Sequence, residues 1–341
     1  MKSLAVKYRP TTFDDVVEQG PIKVILQQQL KTNTIKHAYL FCGGAGTGKT
    51  TCARIFANEI NHHQGNPIEM DAASNSSVDD VRDIIQQAKT KSLDSEYKVF
   101  IIDEVHAISN TGWQAFLKLI EEPPAKSVFI FCTTDPQKIP KTILSRVQRY
   151  DFQRISHSGV VNRLTTILLN ELGEITPSPG YRDAIDYLAK IADGGMRDAI
   201  TLMDKCLSYS EDLTLENVVK SLGAVDYDTM FFLTDSIITN ELDSVIKTIE
   251  NIHRAGKDLK QFVKTYTVFI LDLCKYGSLK SFEYLEIPSI YKKKMDTYNE
   301  HSYNDHFPSL LNTLVKLNAD IKWETSPKAL IEATLILEGD K

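Results

Sequence analysis

Residues 43–50 read Gly-Gly-Ala-Gly-Thr-Gly-Lys-Thr, a complete GxxxxGK[ST] phosphate loop. The apolar run His37–Cys42 before it reads as a buried strand, and Thr51 to about Asn61 reads as a helix. Strand, glycine-rich turn and helix form the context in which this motif binds phosphate. Glycines let the backbone turn tightly and aim N–H groups at phosphate oxygens, and a helix N-terminus adds partial positive charge. The candidate phosphate-binding residues are Gly43, Gly44, Ala45, Gly46, Thr47, Gly48, Lys49, Thr50 and Thr51. In such loops the lysine reaches the β- and γ-phosphates and the hydroxyl after it holds Mg²⁺, here Lys49 and Thr50.

A second motif extends this chemistry. Val99-Phe100-Ile101-Ile102 is followed by Asp103-Glu104, a buried strand ending in two acids. Asp103 is placed to help hold the Mg²⁺ shell, and Glu104 to polarise a water for attack on the γ-phosphate. Further short strands are expected at Ile68–Ala72, Ser127–Thr134 and Tyr150–Ile155. Helical patterns lie between them at Val78–Lys89 and Thr111–Glu122, the latter with Trp113, Phe116, Leu117 and Ile120 on one face and Pro123-Pro124 as its stop. Alternation of this kind predicts a parallel sheet with helices on both faces. From about residue 156 only helical patterns follow, broken at Thr176–Gly180, Gly194-Gly195 and Leu222–Ala224. The predicted domains are 1–155, 156–222 and 223–341.

Composition narrows the function classes. The net charge is −6 over 341 residues, which argues against coating DNA by bulk charge and leaves only local or multi-subunit contacts. No apolar run has the length of a membrane span, and Lys7, Arg9 and Asp14 interrupt any secretion signal. The five cysteines lie far apart, with no C-x-x-C pair, so they read as small buried hydrophobes in a reducing compartment.

Asp103-Glu104-Val105-His106 resembles the acidic box of AAA+ ATPases. The wider text resembles the clamp-loader gamma/tau family of bacterial DNA polymerase III. The matching stretches are Lys7–Phe13, Asp71–Asn75, Leu117–Pro124, Thr133–Pro140, Ile143–Arg146 and Gly195–Ala199. The resemblance implies an AAA+ nucleotide-binding domain with a parallel five-stranded sheet, a small helical lid and an all-α C-terminal collar. It implies an ATPase that uses ATP and Mg²⁺ within a pentameric ring of loader subunits. ATP binding opens a sliding clamp and grips primer–template DNA, and hydrolysis releases both. It further implies Thr134 as the polar sensor, Arg197 as a lid arginine touching its own subunit's γ-phosphate, and Arg146 as the arginine finger on a neighbour's nucleotide. Tyr8, Arg9 and Pro10 match the adenine-pocket segment, with Val17 as a wall. The plainer readings are a lid ion pair of Arg197 with Asp193 or Asp198, and a surface ion pair of Arg146.

The DNA-contact candidates are Arg82 and the hydroxyls of Ser74, Ser76 and Ser77, acting on phosphates because loading ignores sequence. The family's four-cysteine zinc module is missing from residues 58–67, where His62 and His63 read as a solvated turn, so no zinc is expected. Glu18 stands where the family has glycine, and Val147 where it has cysteine. The expected protein is a short form without a long tail, in the cytoplasm of a bacterial or virus-infected cell, with no membrane partner. The rival readings are a branch-migration or helicase-type motor and a non-hydrolysing structural loader subunit.

Overall fold

The computed structural model describes residues 2–75, 77–92, 94–173, 178–282, 284–300 and 306–339. Five strands, β1 (Ala38–Cys42), β2 (Ile68–Asp71), β3 (Lys98–Asp103), β4 (Ser127–Thr133) and β5 (Gln148–Asp151), form one parallel sheet in the order β2-β3-β4-β1-β5. The helices threaded through it are α1 (Leu4–Lys7), α2 (Gly20–Thr32), α3 (Lys49–Ile60), α4 (Val78–Ala88), α5 (Asn110–Glu121) and α6 (Lys141–Leu144).

The three inner strands β1, β3 and β4 are covered on both faces, which is why they read as apolar runs, whereas the edge strands β2 and β5 keep exposed polar residues. All seven residues of β4 are buried. Its Phe129 and Phe131 point to one side, into a core with Val81, Trp113, Phe116 and Ile143 from α4, α5 and α6. Its Val128, Ile130 and Cys132 point to the other, against Leu26 of α2 and Cys52 and Phe56 of α3. Leu119, rather than Leu117, completes the buried face of α5.

The last strand departs from the expected Tyr150–Ile155. It starts at Gln148 and stops at Asp151 because its partner β1 ends at Cys42, whose carbonyl takes the Phe152 N–H at 2.7 Å. Residues 152–155 leave the sheet, and Ile155 reaches the cleft described below.

The described chain divides into two compact units, residues 1–163 with 192–201, and residues 164–191 with 202–341. The first holds the sheet. The helices α7 (His157–Leu172) and α9 (Met196–Tyr209) contribute residues to both. The second unit is helical: α8 (Tyr181–Ile191), α10 (Leu215–Leu222), α11 (Tyr227–Ile238), α12 (Leu242–Arg254), α13 (Leu259–Leu279), α14 (Lys292–Glu300), α15 (His306–Asp320) and α16 (Pro327–Gly339). α13 packs along α15, and α16 lies against α12 and α15. Phe262, Tyr266, Phe269, Ile270 and Leu273 are all buried on α13, as their spacing predicts. Tyr266 shares a hydrogen bond with Thr234, and Asp272 accepts the Ile287 N–H at 3.1 Å, so these buried polar groups are partnered. Among the described residues no helix is long and apolar enough to cross a membrane.

Candidate active site

The sheet order sets the site. In a parallel sheet, ligands bind beyond the C-terminal ends of the strands. Here β4 lies between β1 and β3. The end of β4, at Thr133-Thr134, therefore lies between the phosphate loop leaving β1 and the acid pair leaving β3.

Three of the loop's glycines are required by shape. A Cβ on Gly43 would come within 2.5 Å of the Phe152 carbonyl oxygen. Gly46 has φ +69°, and a Cβ there would meet the Gly195 Cα at 2.9 Å. Gly48, at φ +100°, is the N-cap of α3. Left-handed backbone is the conformation that favours glycine. Thr47 is buried and donates its hydroxyl hydrogen to the Gly44 carbonyl at 2.9 Å.

Lys49 is 6% exposed and donates to the carbonyls of Gly43 (2.9 Å) and Gly44 (2.7 Å). Burial lowers its pKa from the ordinary lysine value, and the Glu104 and Asp103 carboxylates offset part of that shift. Thr50 donates its hydroxyl hydrogen to Asp103 Oδ2 at 2.7 Å. Asp103 Oδ1 accepts the Glu104 N–H at 3.1 Å. Glu104 has φ 48° and ψ 42°, a left-handed conformation that costs a non-glycine residue about 1–2 kcal/mol. Its Oε2 accepts the Thr134 N–H at 3.3 Å and the Thr134 hydroxyl at 3.0 Å.

These groups open onto a cleft of about 470 Å³, wholly within the first unit. That volume is in the range of small-molecule sites. Of the residues singled out from sequence, Tyr8, Arg9, Pro10, Val17, Ala45, Gly46, Thr47, Gly48, Lys49, Thr50, Thr51, Asp103, Glu104 and Arg197 line it. Thr134 reaches it through Glu104. Arg197 is exposed, and Asp193, one of its suggested ion-pair partners, pairs instead with Arg154. Arg146 is outside the cleft lining. Its Nε pairs with Glu121 at 2.9 Å, and it donates to the Thr142 carbonyl at 2.8 Å.

The DNA candidates are engaged locally. Arg82 pairs with Asp79 at 2.9 Å, and Ser74 donates to Asp71 at 3.0 Å. Ser77 forms a reciprocal cap with Asp80 at the start of α4. Ser76 lies outside the described residues.

Sequence reasoning missed several contributors. Gln19 is buried in a left-handed conformation, and its amide donates to the Gln153 carbonyl at 2.7 Å and the Thr47 carbonyl at 3.4 Å. It ties the N-terminal arm to the phosphate loop and to the exit of β5. Arg163 of α7 donates to the Tyr8 carbonyl at 2.9 Å and lines the cleft beside Ile155, Met196 and Ile200. Arg54 of α3, also on the wall, makes a two-point ion pair with Glu69 at 2.7 and 2.6 Å. Glu18 accepts the Ser156 N–H at 3.1 Å. Glu18 stood out in the sequence only as a departure from the family's glycine, and Gln19 only as a polar residue soon after the apolar Val16-Val17 pair; Arg163 carries no such signal.

The donor set suits a nucleoside triphosphate with Mg²⁺. A hard cation takes oxygen ligands, and Mg²⁺ usually needs only one or two from protein, with waters and phosphates completing its shell. Thr50 Oγ1 and Asp103 Oδ2, in contact on the cleft wall, supply two such oxygens.

A family model described as DNA polymerase III, delta subunit, matches residues 18–77 and 61–156. DNA polymerase III subunit tau of Bacillus subtilis is 34% identical over 357 residues, covering 96% of this chain and 62% of that protein. Subunit gamma/tau of Mycoplasma pneumoniae is 32% identical, covering 82% and 43%. Subunit tau of Escherichia coli is 34% identical, covering 74% and 42%. The chain thus spans less than two thirds of the length of each of these relatives. The RuvB Holliday junction branch migration motor of Thermotoga maritima superposes with a TM-score of 0.52 at 17% identity, covering 71% of this chain and 85% of that one. This last likeness is one of fold.

Proposed function

We propose that this chain, which belongs to the DNA polymerase III gamma/tau family, hydrolyses ATP as a subunit of a sliding-clamp loader. The observation that carries the reading is the convergence of Lys49, the Thr50–Asp103 pair and Glu104 on one cleft.

In this reading the loop N–H groups and the α3 N-terminus hold the phosphates. Lys49 exchanges its two loop carbonyls for phosphate oxygens, and Thr50 and Asp103 hold Mg²⁺. Bound there, the ion offsets the negative charge of the β- and γ-phosphates. Glu104 accepts the proton of the attacking water. Thr134 positions that end of the site. Arg197 contacts the γ-phosphate of its own subunit, and Arg146 is lent to the nucleotide of an adjoining one. A guanidinium supplied in trans makes turnover depend on assembly. Tyr8, Arg9, Pro10 and Val17 wall the adenine.

The wider proposal is a pentameric ring with other loader subunits. ATP favours the arrangement that opens the clamp and grips primer–template DNA. DNA is held at its phosphates, with Arg82, Ser74, Ser76 and Ser77 as this chain's contribution. Residues 1–155, 156–222 and 223–341 act as ATPase domain, lid and collar, and the protein works in the cytoplasm.

The test is ATP hydrolysis with and without clamp and primed DNA. Stimulation that needs both supports loading. Strand separation or translocation without a clamp supports a motor. Failure to bind nucleotide supports a purely structural subunit.

A further inference from the structure

We propose that His106 is a positioning residue for Glu104, fixing one carboxylate oxygen so that the other faces the cleft. The proposal rests on the reading of Glu104 as the base.

The two oxygens of Glu104 have different surroundings. Oε2 accepts both hydrogen bonds from Thr134 and lies 3.3 Å from His106 Nδ1. Oε1 accepts no hydrogen bond among the described residues, and Glu104 lines the cleft. The backbone enforces this asymmetry. Glu104, in its left-handed conformation, begins a single tight turn whose next residue, Val105, is fully buried in the core. The Glu104 carbonyl accepts the Ala107 N–H at 2.9 Å and closes the turn. His106 is thereby brought back onto Glu104, with its side chain only 22% exposed.

The same ring nitrogen is held by a second group. His106 Nδ1 also lies 3.2 Å from Thr133 Oγ1, which accepts the Asp135 N–H at 3.0 Å. With its hydrogen attached, Nδ1 lies between the Thr133 hydroxyl and Glu104 Oε2 and presents the positive edge of the imidazole to that carboxylate oxygen, where a lone pair would meet negative charge. A general base must sit within hydrogen-bond reach of the proton it takes. A carboxylate with one oxygen held from two directions keeps that reach, whereas one free to rotate does not.

The test is steady-state ATP hydrolysis by the full chain assembled with its loader subunits, clamp and primed DNA, with nucleotide affinity of the purified chain measured in parallel by a fluorescent ATP analogue. His106→Ala is expected to lower kcat about 10- to 30-fold, with affinity within about twofold of the parent, the effect of losing alignment rather than binding. His106→Asn, whose amide nitrogen can take the place of Nδ1, is expected to return kcat to within about threefold. Unchanged kcat in His106→Ala, or no recovery in His106→Asn, overturns the proposal. Loss of affinity and turnover together in both variants marks a merely structural role and overturns it as well. Glu104→Gln in the same assay separates the two readings. Full turnover there removes the base itself. An inactive Glu104→Gln beside an unaffected His106→Ala removes only the histidine.

Discussion

Thr50 hands its hydroxyl hydrogen to Asp103 across 2.7 Å, joining the second residue of α3 to the last residue of β3. The contact places two hard oxygens side by side. It predicts that Thr50→Val weakens ATP binding about tenfold or more with Mg²⁺ present and little in EDTA, since it removes one of the two protein oxygens offered to the ion, and losing even an outer-shell partner costs about 10- to 100-fold in metal affinity. Isothermal titration under both conditions checks this. Equal loss in both removes the metal role.

Lys49 and Glu104 face the same cleft but make different contacts, so their losses separate. Lys49→Ala is expected to abolish nucleotide binding. Glu104→Gln keeps binding and lowers turnover by about 10²–10⁴-fold, the usual worth of a general base. Equal loss of binding in both variants contradicts the assigned roles.

Arg146 is held by Glu121 and the Thr142 carbonyl on an exposed surface. Exposed ion pairs contribute little to stability, about 0–1 kcal/mol, so the guanidinium is easily released to a neighbour. Arg146→Ala should leave the isolated chain's ATP affinity unchanged and reduce turnover of the assembled complex by about 10³-fold or more. An assembled mutant with normal turnover ends the trans-acting role.

The sheet was legible because its three inner strands are buried on both faces. Runs such as Val99–Ile102 and Val128–Cys132 are apolar without alternation, the pattern of strands covered on both faces. The phosphate loop and acid pair were legible because their chemistry is written in consecutive residues. Gln19 and Arg163 were not. Each acts on a residue far off in sequence, Gln153 and Tyr8 respectively, and no local pattern encodes a partner 134 or 155 positions away. The end of β5 was missed for the same reason, being set by where β1 stops.

Arg82 lies one turn into α4 among Asp79, Asp80 and Asp83, and its own ion pair with Asp79 is exposed. Trading that carboxylate for a DNA phosphate costs little. Arg82→Ala is expected to reduce the salt dependence of primed-DNA binding by the assembled complex by about one unit of slope, the signature of one lost phosphate contact. An unchanged slope assigns Arg82 to the helix surface alone.

Gly46 joins the phosphate loop to the start of α9. Its carbonyl accepts the Met196 N–H at 3.0 Å, and its Cα hydrogen faces the Gly195 backbone. Gly46→Ala combines a left-handed penalty with a clash against backbone that cannot rotate away, about 2–4 kcal/mol together. Because α9 carries Arg197, the displacement acts on the site as well as on stability. Thermal unfolding should fall by several degrees, with nucleotide affinity reduced in parallel. Gly256→Ala is the matched control, since its φ is also +69° but no atom outside its chain neighbours lies within 4 Å of an added Cβ. That change should carry the left-handed penalty alone, about 1–2 kcal/mol, with nucleotide affinity unchanged. Equal unfolding temperatures for the two variants would show that the loop does not depend on its contact with residue 195.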